Sequence, residues 1–268
     1  MTVIPRCIDP AGRIRTVVAA AVVALSGLLV PTATAQATTT STAAGCPAVT
    51  VPAYFYAGTQ WDTAVSGPAG VPRTLILNPA SGPGSAPDPA YVTTVTQARA
   101  AGARVVGYVH TSYGARTADV VQAEVQRYRE WYGVADIFFD EVASSSAQLP
   151  YYATLADGVR REGGYVVLNP GVHPDERYMA LGDQVVTFEG TYDTYRLATV
   201  PAWTNNYDAH RFTHLVYSAT KRQMTNAVSL AGKRRAGNVY VTNDGGTNPW
   251  DTLPGYWQDE LAALAARC

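Results

Sequence analysis

A single (β/α)8 barrel of the TIM type, with some helices short or irregular, is the α/β fold this sequence predicts, on three observations. Short apolar runs alternate eight times with helical stretches across about 220 residues. The tips of nearly all these runs are polar or aromatic, whereas their bodies are Val, Ile, Leu or Phe, as expected where strand ends converge on a functional face. The rival, an open doubly wound sheet, requires a Gly-rich phosphate loop after an early strand, and no G-x-G-x-x-G spacing follows one.

Composition sets the outer limits. A chain of 268 residues, 47% hydrophobic and 15% charged, can bury one barrel core or two smaller ones. A net charge of -1 gives no electrostatic basis for binding nucleic acid or an anionic membrane, partners that call for clustered Lys and Arg. Tyr outnumbers Phe by 17 to 5, and there are 5 Trp. Such amphipathic rings suit sugar faces as well as structural packing.

Residues 1–37 read as a secretory signal peptide: Arg6, Arg13 and Arg15 precede the apolar run Thr16 to Val30, and small-residue cleavage sites follow at Ala33 to Ala37. The apolar run is short for a membrane span, so a secreted, extracellular protein with no membrane contact after cleavage is expected. Residues 38–47 form a Thr/Ala/Ser-rich lead-in, and residues 48–268 the barrel domain. Cys7 leaves with the signal; Cys46 and Cys268, one at each end of the domain, are expected to form a disulfide in an oxidising compartment.

The elements follow in order. Val49 to Tyr56 is the first strand and Arg73 to Asn78 the second; Asp88 and Pro89 open a helix to Ala101, closed by Gly102. Arg104 to His110 is the third strand, followed by a helix from Thr117, its expected N-cap, to Trp131, with Val121, Val125, Tyr128 and Tyr132 in helical spacing. The fourth strand, Val134 to Glu141, ends abruptly in two carboxylates. A helix over Ala147 to Glu162 and the pair Gly163-Gly164 lead to the fifth strand, Tyr165 to Asn169. Asp175 to Leu181 is a short helix, Gln184 to Glu189 the sixth strand, and Tyr192 to Val200 another short helical segment. Thr213 to Tyr217, a helix over Thr220 to Ala231, Asn238 to Asn243 and a closing helix over Tyr256 to Ala266 complete the repeat.

Read at the strand tips, the candidate site consists of Tyr54, Tyr56, Asn78, Tyr108, His110, Asp140, Glu141, Asn169, Glu189, Tyr217, Asn243 and Asp244. Alternation sends Phe138 and Asp140 to one side and Phe139 to the other, while Glu141 can turn over the rim. Several carboxylates among Tyr and Asn, with neither a G-x-S-x-G elbow nor a nucleophilic Cys, suit glycoside hydrolysis. Metal binding by Asp140, Glu141, Glu189, Asp244 and His110 is the competing use, but no H-x-H or H-E-x-x-H pattern supports zinc, and neither metal nor cofactor is expected. Strand-end acids also serve as caps and loop ion pairs. The Asn in the repeated Asn78-Pro79 and Asn169-Pro170 either caps a turn or touches sugar. Of Trp203, Trp250 and Trp257, in loops or near a helix start, one can form a stacking platform, with core packing the better reading of Trp257; His173, His210 and His214 have no ligand-like spacing.

Six segments in order carry a family resemblance: VPAYFY from Val51, LILNPASGPG from Leu75 to Gly84, GYVHTSYG from Gly107 to Gly114, FFDE from Phe138 to Glu141, VLNPG from Val167 to Gly171 and TFEG from Thr187 to Gly190. Together they resemble the spherulin 4, or spherulation-specific, family over about Val51 to Trp257. The resemblance implies a (β/α)8 glycoside hydrolase cutting inside α-1,4-linked galactosamine and N-acetylgalactosamine chains of microbial exopolysaccharide and biofilm matrix, with retention of configuration. Carried over by position, the family's Asp-Glu pair falls on Asp140 and Glu141 and its later Glu on Glu189. Asp140 is the expected nucleophile, Glu189 the acid/base and Glu141 a supporting carboxylate. The expected partner is polysaccharide bound by a monomer. The alternative is a non-catalytic carbohydrate-binding or spore/cell-coat protein on the same scaffold.

Overall fold

The computed structural model describes residues 45–268; the expected signal peptide and most of the lead-in lie outside them. Eight parallel strands follow one another in chain order: β1 (Val49–Ala53), β2 (Arg73–Leu77), β3 (Arg104–His110), β4 (Ile137–Asp140), β5 (Val166–Leu168), β6 (Gln184–Thr191), β7 (Phe212–Tyr217) and β8 (Asn238–Val241). The barrel nearly closes through Ala48, which bridges Asn238: its N–H donates to the Gly237 carbonyl (2.8 Å) and its carbonyl accepts from Val239 N (3.0 Å). The two ends of the described barrel therefore meet, and Cys46 and Cys268 form a disulfide with Cα atoms 4.4 Å apart.

Helices α1 (Thr59–Val65), α2 (Pro89–Ala100), α3 (Ala118–Tyr132), α4 (Leu149–Arg161), α5 (Tyr192–Tyr195), α6 (Lys221–Lys233) and α7 (Trp257–Ala265) occupy the connections. The caps explain the boundaries. Asp88 accepts from Ala90 N at the start of α2, and Thr220 and Gln223 form a capping box on α6. Thr117 sits at the N-cap of α3, but its side chain makes no capping bond. The repeat predicts a helix after the first strand without fixing its bounds, and α1 fills that place: its N-cap is Gly58, without a side-chain acceptor to announce it, and buried Trp61 holds it to the core. The expected helix over Asp175 to Leu181 is a 3-10 turn, Glu176–Ala180, and the segment after β6 is helical only over α5.

The tyrosine excess has a structural cause. Tyr128, Tyr152 and Tyr178 are fully buried, yet each hydroxyl reaches a backbone group at or just beyond a strand end: Tyr128 donates to the Leu77 carbonyl (3.0 Å), Tyr178 to Ser145 (2.9 Å), and Tyr152 accepts from Ala143 N (2.9 Å). A Phe would fill the same space and leave those groups unpaired. The Tyr128 ring lies so close to β3 that a Cβ on Gly107 would come within 2.6 Å of it, so only Gly fits there. Among the described residues no helix is long and apolar enough to cross a membrane.

Candidate active site

β4 delivers Asp140 at its last residue, and the register His110↔Asp140 and Tyr108↔Phe138 places these four side chains on one face of the sheet. The neighbouring tips complete a network. Tyr108 donates to Asp140 Oδ2 (2.8 Å), while Asn169 Nδ2 donates both to Asp140 Oδ1 (2.7 Å) and to Glu189 Oε2 (2.7 Å). One amide nitrogen thus holds the two carboxylates together. Their nearest oxygens can be separated by no more than those two bonds laid end to end, short of the roughly 6.5 Å at which an inverting pair begins. Asn169 also accepts from Gly171 N (3.0 Å), so this side chain both caps a turn and spans the acids.

Glu189 reaches the site only because β6 departs from strict alternation. Gln184 registers with Val167, itself level with Phe138 on the inner face, and plain period-two counting from Gln184 points Glu189 outward. Between Val186 and Phe188 the register shifts: two steps on β6 match the single step Thr213 to His214 on β7. This bulge reverses the parity, turning Phe188 towards Tyr195 and His214 and Glu189 towards Asn169.

The carboxyl environments differ. Burial and the adjacent Asp140 charge push Glu189 up to about 7, against the opposing pull of hydrogen bonds from Asn169 and Trp250. Burial also raises Asp140, but bonds from Tyr108, the Glu141 backbone and Asn169 favour its ionised form. Glu141 takes another course. At φ 51 it turns over the rim, its side chain 41% exposed and 3.5 Å from His110 Nδ1. Its carbonyl accepts from Thr111 Oγ1 (2.8 Å) and Tyr113 N (2.7 Å), which hold the left-handed backbone in place.

Two cavities meet at the carboxylates, both lined by Asp140, Glu189 and Tyr217. The larger, of about 610 Å³, extends past Tyr54, Asn78, Tyr108 and Trp250; the smaller, of about 380 Å³, past Glu141, Asn169 and Tyr113. No Lys, Arg or His lines either, so the groove suits a neutral or cationic ligand. Four expected site residues stand outside it. The Tyr56 hydroxyl binds Asp88 (3.0 Å) because the chain leaves the barrel after Ala53, and His110 is occupied at the rim by Glu141 and Ser112. Exposed Asn243 accepts from Gly255 N (3.3 Å) and Asp244 from the Thr252 hydroxyl, since β8 ends at Val241 and both belong to the following loop.

Sequence reasoning left Trp250 undecided among three tryptophans and did not single out Tyr113 or the loop Gly246 to Pro249, all of which line the groove. The aromatic loop residue in GYVHTSYG was the available signal for Tyr113. Trp257, in contrast, is core, its indole donating to the Thr63 carbonyl (3.0 Å). Among the described residues no three His, Cys, Asp or Glu side chains converge as a metal-binding set.

With this geometry defined, comparison with known proteins is informative. The model of Spherulation-specific family 4 matches residues 48–264. Spherulin-4 of Physarum polycephalum is 34% identical over 230 residues, covering 81% of this chain and 69% of that protein. Sph3 of Aspergillus clavatus, whose crystal structure is in complex with GalNAc, superposes with a TM-score of 0.73 at 26% identity, over 82% of this chain and 98% of Sph3. A domain of the thermostable chitinase of Pyrococcus furiosus shares the fold alone, at TM-score 0.51 and 12% identity over 83% of this chain and 97% of that one. Its sequence from β1 to α7 and its barrel agree: the chain belongs to the spherulation-specific family 4.

Proposed function

We propose that this protein is a secreted glycoside hydrolase that cleaves internal α-1,4 linkages of galactosamine- and N-acetylgalactosamine-containing exopolysaccharide with retention of configuration. The observation that carries this reading is the single Asn169 amide bonded to both Asp140 and Glu189; burial raises both carboxyls, but Asp140 is opposed by bonds from Tyr108, the Glu141 backbone and Asn169, while the Asp140 charge pushes Glu189 further, up to about 7. Glu189, pushed up to about 7, holds a proton for the leaving glycosidic oxygen. Asp140, stabilised as a carboxylate by Tyr108 and Asn169, attacks the anomeric carbon and forms a glycosyl ester as the C–O bond to the leaving sugar breaks. Glu189, now deprotonated, takes a proton from water; the resulting hydroxide releases the sugar and regenerates Asp140.

Position within the groove supports internal cleavage, because cavity extends to both sides of the acids. The resemblance to Sph3, together with an acid-lined groove without cationic residues, supports a neutral or amine-bearing hexosamine chain as substrate. The disulfide between Cys46 and Cys268 and the N-terminal signal pattern support secretion. Glu141, tied to His110 at the rim, supports and orients the site without sharing the Asn169 amide.

The test is a reducing-end and mass-spectrometric assay on α-1,4-linked galactosamine/N-acetylgalactosamine polymer with parent, Asp140→Asn and Glu189→Gln proteins. Oligosaccharides released by the parent and lost with both variants are expected. Binding of polymer without release by the parent refutes hydrolysis and leaves a carbohydrate-binding or coat protein.

A further inference from the structure

We propose that Tyr113 is a sugar-stacking platform at the outer end of the smaller half-groove, so that the protein grips its polymer beyond the pair of sugars being cleaved. The proposal rests on the glycosidase reading and names an additional binding residue for it. Tyr113 and Tyr56 are the two large exposed tyrosines, at 63% and 66%. They are held differently. Tyr56 is engaged, its hydroxyl on Asp88 and its ring edge-on to Tyr91 at 5.4 Å. Tyr113 lines the cavity that also contains Asp140, Glu141 and Glu189, together with exposed Val172.

The backbone beneath Tyr113 is unusual. Ser112 and Tyr113 are consecutive non-glycine residues at φ 48 and 55, a region unfavourable to any residue with a Cβ. Tyr113 N–H donates to the Glu141 carbonyl (2.7 Å), Gly114 N–H to Thr111 (3.1 Å), and Arg116 to the His110 carbonyl (2.6 Å). These bonds hold the turn that carries Tyr113, while its side chain stays 63% exposed. Backbone held in a costly conformation beside a site, with an apolar face left to solvent, is what a preformed ligand platform requires. A pyranose offers the matching surface, an apolar face of C–H groups ringed by hydroxyls, and a flat aromatic ring can cover it at small entropic cost.

The experiment uses parent, Tyr113→Ala and Tyr113→Phe proteins and α-1,4-linked N-acetylgalactosamine oligosaccharides of increasing length, with steady-state kinetics and calorimetric binding on each. For the longer oligosaccharides, Tyr113→Ala is expected to raise KM and the dissociation constant about three- to tenfold. Its kcat should stay within about twofold, the shortest cleaved substrate should be little affected, and Tyr113→Phe should behave as parent, because the ring face and not the hydroxyl makes the contact. Unchanged KM and binding at every length overturn the proposal, as does an equal loss at all lengths that Phe fails to restore. If the parent binds these sugars without cutting them, the hydrolase reading falls while the binding ratio still decides the role of Tyr113. A parent that does not bind them overturns both.

Discussion

The two ends of the barrel use the same residue types to opposite purposes. At the N-terminal end, Asp136 and Asp183 each stand one residue before a strand, and both serve β5, the shortest. Asp136 accepts from Tyr165 N (2.9 Å) and pairs with Arg104; Asp183 accepts from Val166 N (2.8 Å) and pairs with Arg160. Their charges are met by backbone donors and guanidinium groups, and nothing remains for a ligand. At the C-terminal end, Asp140 and Glu189 share one neutral amide and face a cavity without a cation. Backbone strain divides the same way: of the described non-glycine residues at positive φ, Ser81, Ser112, Tyr113, Glu141 and Ser218 follow strand C-termini, and Arg235 lies elsewhere. An acid with a dedicated cation is built in; an acid left to compete with another acid is available for chemistry.

Substitutions at the two ends should therefore have opposite consequences. The largest effect is expected on turnover: Glu189→Gln and Asp140→Asn should each lower kcat on polymer by about 10²-fold or more, with melting temperatures no lower than that of the parent. At the opposite end, Asp136→Ala should cost about 1–3 kcal/mol of stability in urea denaturation by stranding the Tyr165 N–H, while the folded fraction keeps its turnover. Loss of activity without loss of stability there would erase the distinction.

A pH experiment separates the ends more finely. Glu189 binds its proton more tightly folded than unfolded, so its contribution to stability is full below its unfolded pKa and is lost as pH rises through about 7. Glu189→Gln removes that loss, and the variant should gain on the parent between roughly pH 5 and pH 8 in denaturation experiments. In the parent, the alkaline limb of kcat/KM should fall near the same pH, because the donor must be protonated. The smallest effect belongs to Tyr56→Phe: it removes the bond to Asp88 at an exposed site outside the groove, and should leave activity unchanged and stability within about 0.5 kcal/mol.

Much of this was legible in the sequence, because each strand carries its apolar body and polar tip in one short segment. β3 spans Arg104–His110 as expected, and Asp140, Asn169 and Glu189 meet as their shared tip positions imply. What could not be read depends on contacts between distant segments. Strict alternation would have turned Glu189 away; the bulge that re-aims it shows only in pairing with β7. Adjacent Asp140 and Glu141 look alike in sequence, but one is a strand residue and the other a left-handed turn residue held from the neighbouring loop. Trp250 joins the site because its carbonyl accepts from Tyr54 N (3.2 Å), from the opposite end of the chain.

If Asp140 and Glu189 act together across one shared amide as a retaining pair, proton NMR of the anomer first released from an α-1,4-linked N-acetylgalactosamine oligosaccharide will show it. The α-anomer appearing first, and absent with Glu189→Gln, is the result predicted. The β-anomer appearing first would contradict it, because a pair this close leaves no room for water between sugar and carboxylate.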